Sequence, residues 1–217
     1  MLKRKRKSCF VAIAPEIYGG NQIVTTPLEG SRLERVERED CPAEYLDVWD
    51  EILRTRGFDV MPNVFSLLAN SPGALAVVTP VGAYVRYETA FDDVLRELVI
   101  LTVAQELRCV YEWKHHWRVA ERAGATPELL AKIGTSDLEA EPAPVGPAVR
   151  YARLLTHNKT VGDALIKTLK ESFGTQGFVD LTIMAGYYGM LARFINTVGV
   201  PVEDSYDDIT FNTEAED

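Results

Sequence analysis

The sequence predicts an all-α fold, and three observations carry that prediction. Apolar residues recur at helical spacing along most of the chain between residues 43 and 198. Capping residues precede these stretches, and glycine or proline follows them. Strand character is confined to "QIVTT" at 22–26. The expected arrangement is one domain over residues 28–200 with a bundle-like core.

"AEYLDVWDEILRTRG", 43–57, places apolar side chains on one face and ends at Gly57. The segment from Met61 to Glu88 reads as two helices separated by Asn70-Ser71-Pro72, with Pro80 positioned to kink the second. "DDVLRELVILTVAQE", 92–106, is apolar nearly all round, which marks a buried helix, and two acids open it. A further helix follows from 109 to 123. In "ATPELLAKIG" Thr126 is the N-cap, Pro127 takes the first turn and Gly134 ends the unit. Residues 135–147 read as a loop. Helices resume at 147–157, 161–173 and 175–198, and Gly199-Val200-Pro201 stops the last.

Composition narrows the partners. The chain has 217 residues, 47% hydrophobic and 25% charged, which suits a packed globular protein. A net charge of −9 argues against nucleic acid as the main partner. The charge is uneven. Lys3, Arg4, Lys5, Arg6 and Lys7 form a basic head within residues 1–27, and residues 202–217 hold seven acids and no base. Both ends are expected to be solvated and poorly ordered. The apolar run after the head is too short for a signal peptide. No charge-free apolar run approaches 18 residues, so no membrane span is expected. Cys9, Cys41 and Cys109 are odd in number and widely spaced, which argues against a disulfide framework and for a reducing cytoplasm. Cys41, next to Pro42, has no expected redox role, and His157 is expected to be a helix-end cation. No glycine-rich phosphate motif occurs, so no nucleotide cofactor is implied.

The chemistry concentrates in "RCVYEWKHHW", 108–117. With Cys109 set at zero on a helical wheel, Glu112 falls at about 300° and His116 at about 340°. Lys114, Arg118, Glu121 and Arg122 occupy the opposite face. His115, at about 240°, lies on the border toward solvent and is expected to be a bystander. Glu112 and His116 are four residues apart and can touch. Glu97 belongs to the same set, because a carboxylate on a helix apolar nearly all round needs a partner. Trp113 and Trp117 suit core or interface, and Trp113 is also a candidate substrate contact. Glu112-x-x-His115 has the form used in di-metal helical bundles, but no second such pair exists, and no metal is expected. Two chemistries remain. One is thiol chemistry at Cys109. The other is proton transfer by Glu112 and His116 held in a dry pocket.

"RELVILTVAQELRCVYEWKHHWRVAERAGATPELLAKI" resembles the carboxymuconolactone decarboxylase family of the alkylhydroperoxidase D-like superfamily. The superfamily's peroxidase motif is Glu, eleven residues, Cys, two residues, Cys, three residues, His. Glu97, Cys109, Glu112 and His116 match that spacing, with Glu112 in place of the second cysteine. "YEW" followed by His116 is similar to a subgroup of about 200 residues in which that replacement is usual. The likeness extends more weakly across 57–200, through "NVFSLLANSPGAL" and "YGMLARFINTVGV". It implies an all-α alkylhydroperoxidase D-like bundle, a homo-oligomer, and a helix break near Leu107-Arg108 that puts Cys109 at a helix N-terminus, where a thiolate is favoured. It makes Asn63 and Asn196 candidate pocket residues. It leaves the reaction open among decarboxylation of a small carboxylated or cyclic substrate, thiol peroxidation at Cys109 resolved by Cys9, Cys41 or an outside thiol, and ligand binding without catalysis.

Overall fold

The computed structural model describes residues 25–26 and 28–212. The basic head and Cys9 lie outside the described residues. Nine α-helices are present among the described residues: α1 (Leu46–Arg56), α2 (Asn63–Leu68), α3 (Pro72–Tyr87), α4 (Asp93–Glu106), α5 (Val110–Ala123), α6 (Pro127–Leu130), α7 (Ser136–Glu139), α8 (Val145–Thr156) and α9 (Asp163–Val198). Two short antiparallel strands, β1 (Thr25–Thr26) and β2 (Arg35–Val36), pair Thr25 with Val36.

Helix α4 is the axis, as its all-round apolarity predicts. Every residue from Leu95 to Gln105 is buried, and α5, α8 and α9 pack around it. Burying a Leu, Ile or Val side chain contributes about 1.5–3 kcal/mol, and Leu98, Ile100, Leu101 and Val103 are all fully enclosed. Asp92 caps the helix, accepting from the amides of Val94 and Leu95 at 2.9 and 3.2 Å. Helix α1 turns Trp49 and Ile52 inward and ends at Gly57, whose φ of 66° suits glycine. Pro80 lies inside α3 without ending it.

Helix α9 is divided at Gly174 (φ 69°, ψ 178°), the boundary expected between 173 and 175. It is long and apolar enough to cross a membrane by length and composition alone, and 56% of its most apolar window is buried within the fold. The stretch 135–147 is not a plain loop. It contains α7, capped by Thr135, and the start of α8.

The largest departure is at the carboxy-terminal end. Residues 202–212 were expected to be solvated, yet they lie against α4 and α5. Gln105 Nε2 donates to the Asn212 carbonyl at 2.9 Å, and Trp113 Nε1 donates to the Thr210 carbonyl at 3.0 Å. Ile209 is buried beside Trp113, and the Phe211 ring meets Trp113 edge-on at 5.3 Å. The acids suggested a solvated tail, but Tyr206, Ile209 and Phe211 between them supply an apolar side that covers the indoles of α5.

Candidate functional site

The break between α4 and α5 creates the site. Leu107 ends α4, and Arg108 adopts φ 51°, a left-handed conformation unusual for a residue other than glycine. The Arg108 amide returns to the Gln105 carbonyl at 3.0 Å, and the Cys109 amide returns to Ala104 at 2.8 Å. This is the Schellman pattern, which satisfies carbonyls at a helix end. Asn196 Nδ2 on α9 donates to the Leu107 carbonyl at 2.8 Å and braces the turn. Neither glycine nor proline marks this break, because distant contacts sustain it.

Across the break, α5 presents His116 to α4. His116 Nδ1 lies 2.5 Å from Glu97 Oε2, and His116 Nε2 lies 3.2 Å from Glu112 Oε2. All three residues are buried, at 1% exposure for Glu97 and 5% for Glu112 and His116. The Tyr188 ring meets the imidazole edge-on at 4.9 Å. Burial disfavours the imidazolium, but the two flanking carboxylates outweigh it and push the His116 pKa up to about 8. At neutral pH the ring carries both protons and can donate to both carboxylates.

Cys109 is fully buried at the N-cap of α5. Desolvation and the charge of Glu112 push its thiol up to about 12, against the weaker pull of nearby amides. The expected helix-start position is present, and the thiolate expected there is not favoured. Cys41 is also a free, buried thiol that burial pushes up.

Glu112 and His116 open onto a cavity of about 160 Å³ between α3, α5 and α9. Cys109 is not among the lining residues. Tyr111, Tyr187 and Tyr188 supply aromatic walls, and burial pushes their phenols up. Gly82 is required by this packing. A Cβ there would sit 2.2 Å from the Tyr187 hydroxyl oxygen.

His115 is no bystander. Its ring is stacked between Tyr111, at 4.4 Å, and Tyr206, at 4.0 Å. Its Nε2 lies 2.7 Å from Glu203 Oε2. Glu203 also accepts from the Tyr111 hydroxyl at 3.0 Å and from the Asn63 amide at 2.8 Å, where it caps α2. Burial opposes ionisation of Glu203, but His115 and the Asn63 amide hold its carboxyl below the ordinary glutamate value. Glu203 and Tyr206 were not singled out in the sequence, because an acidic run at a chain end looks like a solvated tail. The guanidiniums at the cavity were missed for a related reason. Arg86 shares no motif with α5, and on the wheel Arg118 and Arg122 fall on the polar face.

Three expected substrate contacts stand elsewhere. Asn63 Oδ1 accepts from Arg35 Nη1 at 2.6 Å, and Asn63 Nδ2 donates to the Pro201 carbonyl at 3.0 Å, which joins β2, α2 and the start of the terminal segment. Trp113 is a core residue with 1% exposure, turned from the cavity toward Thr210. Asn196 braces the helix break. None of the three lines the cavity. The residues that meet as expected are Glu97, Glu112 and His116, with Cys109 beneath them. Among the described residues, no group of three His, Cys, Asp or Glu side chains is arranged to hold a metal ion. His157 caps the end of α8 and pairs with Glu106 of α4.

The chain is similar in sequence and fold to known proteins. Residues 72–157 match the carboxymuconolactone decarboxylase family. The chain is 30% identical over 125 residues to the uncharacterized protein YnjA of Escherichia coli K12, covering 57% of this chain and 69% of that one. Its fold is similar to the alkylhydroperoxidase AhpD core of an uncharacterized peroxidase-related protein from Ralstonia eutropha JMP134. There the TM-score is 0.69 at 19% identity, covering 83% of this chain and 96% of that one. A peroxidase-related protein from Silicibacter sp. TM1040 gives 0.69 at 18% identity, covering 85% and 97%. The debrominase Bmp8 bound to 2,3,4-tribromopyrrole gives 0.62 at 12% identity, covering 84% and 95%. The chain belongs to the carboxymuconolactone decarboxylase family.

Proposed function

We propose that the protein is an acid–base lyase of the decarboxylase type, acting on a small carboxylated or cyclic organic substrate. The observation that carries this reading is the division of the motif. Glu112 and His116 face the cavity, whereas Cys109 lies outside its lining with a thiol pushed up to about 12. In the reaction, the bond to a substrate carboxyl group breaks, and CO2 leaves. The electron pair passes into an adjacent carbonyl system, and the Glu112 carboxylate takes a proton from the His116 imidazolium and passes it to carbon. His116, charged at neutral pH and oriented by Glu97, then recovers its proton from water.

Thiol peroxidation at Cys109 is the second reading, supported by the fold shared with peroxidase-related proteins. A non-catalytic binding protein is the third. We also propose that the protein is a homo-oligomer, a reading supported by the exposed apolar side chains Val179, Ile183 and Met190 on α9 and Val77 and Val81 on α3.

The test compares Cys109→Ser and Glu112→Gln in two assays. One follows reduction of an alkyl hydroperoxide with a dithiol donor. The other follows CO2 release and deuterium uptake at carbon from a carboxylated lactone. Loss of the lyase signal in Glu112→Gln, with Cys109→Ser active, is expected. Peroxide turnover abolished by Cys109→Ser and retained in Glu112→Gln overturns the reading.

A further inference from the structure

The cavity carries more positive charge than the proton-transfer residues require. Besides His116, the guanidinium groups of Arg56, Arg86, Arg118 and Arg122 reach its wall. Two of these donate hydrogen bonds within the protein, and a third, Arg86, lies over the Tyr87 ring at 5.3 Å. Arg118 Nη2 donates to Asp208 Oδ1 at 2.5 Å. Arg56 donates to the Thr79 carbonyl at 3.3 Å and lies over the Phe65 ring. Arg86, half-buried on α3, and Arg122, exposed on α5, form no ion pair with a carboxylate among the described residues. Arg86 feels the charges of Glu97 and Glu112 only through space.

These groups converge. Burial and Glu203 push the Tyr206 phenol up, while Arg122, Arg118 and Arg86 all act in the opposite sense. Arg86, Arg118 and Arg122, from two helices, line the cavity together with Tyr206, Arg118 lies over the Tyr206 ring at 5.5 Å, and the Glu97–His116–Glu112 cluster lies within the field of Arg86. Arg86 has no direct carboxylate partner among the described residues, so its guanidinium donors are open to an anion seated against them.

We propose that the Arg86 and Arg122 end of the cavity is an anion seat, which holds the carboxylate of a small organic anion and sets its neighbouring carbon against Glu112 and His116. This deepens the acid–base reading and rests on it for the reaction; binding can be tested separately. Arg86 and Arg122 are specificity-determining residues on this account. A volume of about 160 Å³ suits one six-membered ring, since benzene fills an engineered cavity of about 150 Å³.

The probes are benzoate and its neutral isostere benzamide, titrated calorimetrically into the full chain at low salt. Benzoate is expected to bind more tightly than benzamide. Arg86→Gln is expected to weaken benzoate about tenfold or more, the usual scale for a lost charge-assisted hydrogen bond, and to leave benzamide unchanged. Arg122→Gln, on an exposed position that does not put folding at risk, is expected to weaken benzoate by a smaller factor. Arg86→Lys is expected to restore part of the loss. Glu112→Gln is expected to keep or tighten benzoate binding, because it removes a nearby negative charge. Benzoate binding that is absent, no tighter than benzamide, or unmoved by both arginine variants overturns the anion seat, and so does loss of benzoate affinity in Glu112→Gln. Failure of the lyase assay with arginine-dependent benzoate binding intact overturns the acid–base reading and leaves the seat standing.

Discussion

His115 and His116 are neighbours on one helix, and each meets a glutamate, yet the two pairs belong to different layers of the molecule. His116 points into the bundle and is held between Glu97 and Glu112, both from the helical hairpin that contains it. His115 points toward the chain's end and is held by Glu203, 88 residues away. The first pair is local in topology, so helical phase and spacing reveal it. The second depends on where the terminal segment lands. In both pairs the partner favours the charged form, read at the base in one pair and at the acid in the other. The His116 pKa is raised by its carboxylates, and the Glu203 pKa is lowered by its histidine.

That contrast can be broken most severely at Glu97. Glu97→Gln leaves a buried imidazole with one carboxylate partner and is expected to cost about 3 kcal/mol, the scale for breaking a buried pair. The His116 pKa should fall from about 8 toward or below its ordinary 6.5, since burial then faces less opposition. Imidazole titration by NMR, combined with denaturant unfolding, measures both. A His116 pKa that stays near 8 contradicts the assigned role of Glu97.

The pH dependence of stability sharpens the comparison next. The raised His116 pKa contributes stability that is fully present below about 6.5 and is lost as pH rises through about 8. A shift of that size corresponds to about 2 kcal/mol. Glu203 works in the other sense. Its lowered pKa contributes stability above the ordinary value of 4.5 that is lost as pH falls. Unfolding measured across pH should therefore show an alkaline decline that Glu97→Gln flattens and an acid decline that Glu203→Gln flattens. If one variant changes both limbs equally, the two pairs are not separate.

Glu203→Gln itself should cost about 1–2 kcal/mol, since it weakens charge-assisted bonds to His115, Tyr111 and the Asn63 amide. The effect should be local, seen as faster hydrogen exchange in residues 202–212 and at the start of α2. The smallest expected effect is that of Asn196→Ala, about 1 kcal/mol for the lost brace on Leu107. Because Asn196 does not line the cavity, KM should stay unchanged; a raised KM with normal stability would restore it as a substrate contact.

Much of the fold is legible in residue order alone. The all-round apolarity of 92–106, the stop at Gly57 and the division at Gly174 all appear where local patterns place them, because helix geometry and capping act over a few residues. Glu97, Glu112 and His116 were legible for the same reason. One helical repeat and one fixed motif spacing bring them together across a single hairpin.

Other features needed the whole molecule. Arg108 takes a left-handed conformation because Schellman bonds and Asn196 hold it there, and no turn residue announces that. Residues 202–212 carry the charge pattern of a solvated end, but the surface of α5 offers Trp113 and His115 for their aromatic and apolar side chains to cover. Asn63 and Asn196 became struts, and Arg86 reached the cavity, through packing between distant helices. The sequence by itself determined most of the helices, the stops at Gly57, Gly174 and Gly199, and the Glu97–His116–Glu112 cluster. The tertiary structure alone decided that Cys109 is shut away from the cavity, that Glu203 secures His115, and that Arg86 and Arg122, with no carboxylate pair among the described residues, line the same cavity as Glu112 and His116. The physical reason is range: caps and periodicity act within a turn or two, whereas burial, charge convergence and cavity shape exist only once distant segments meet.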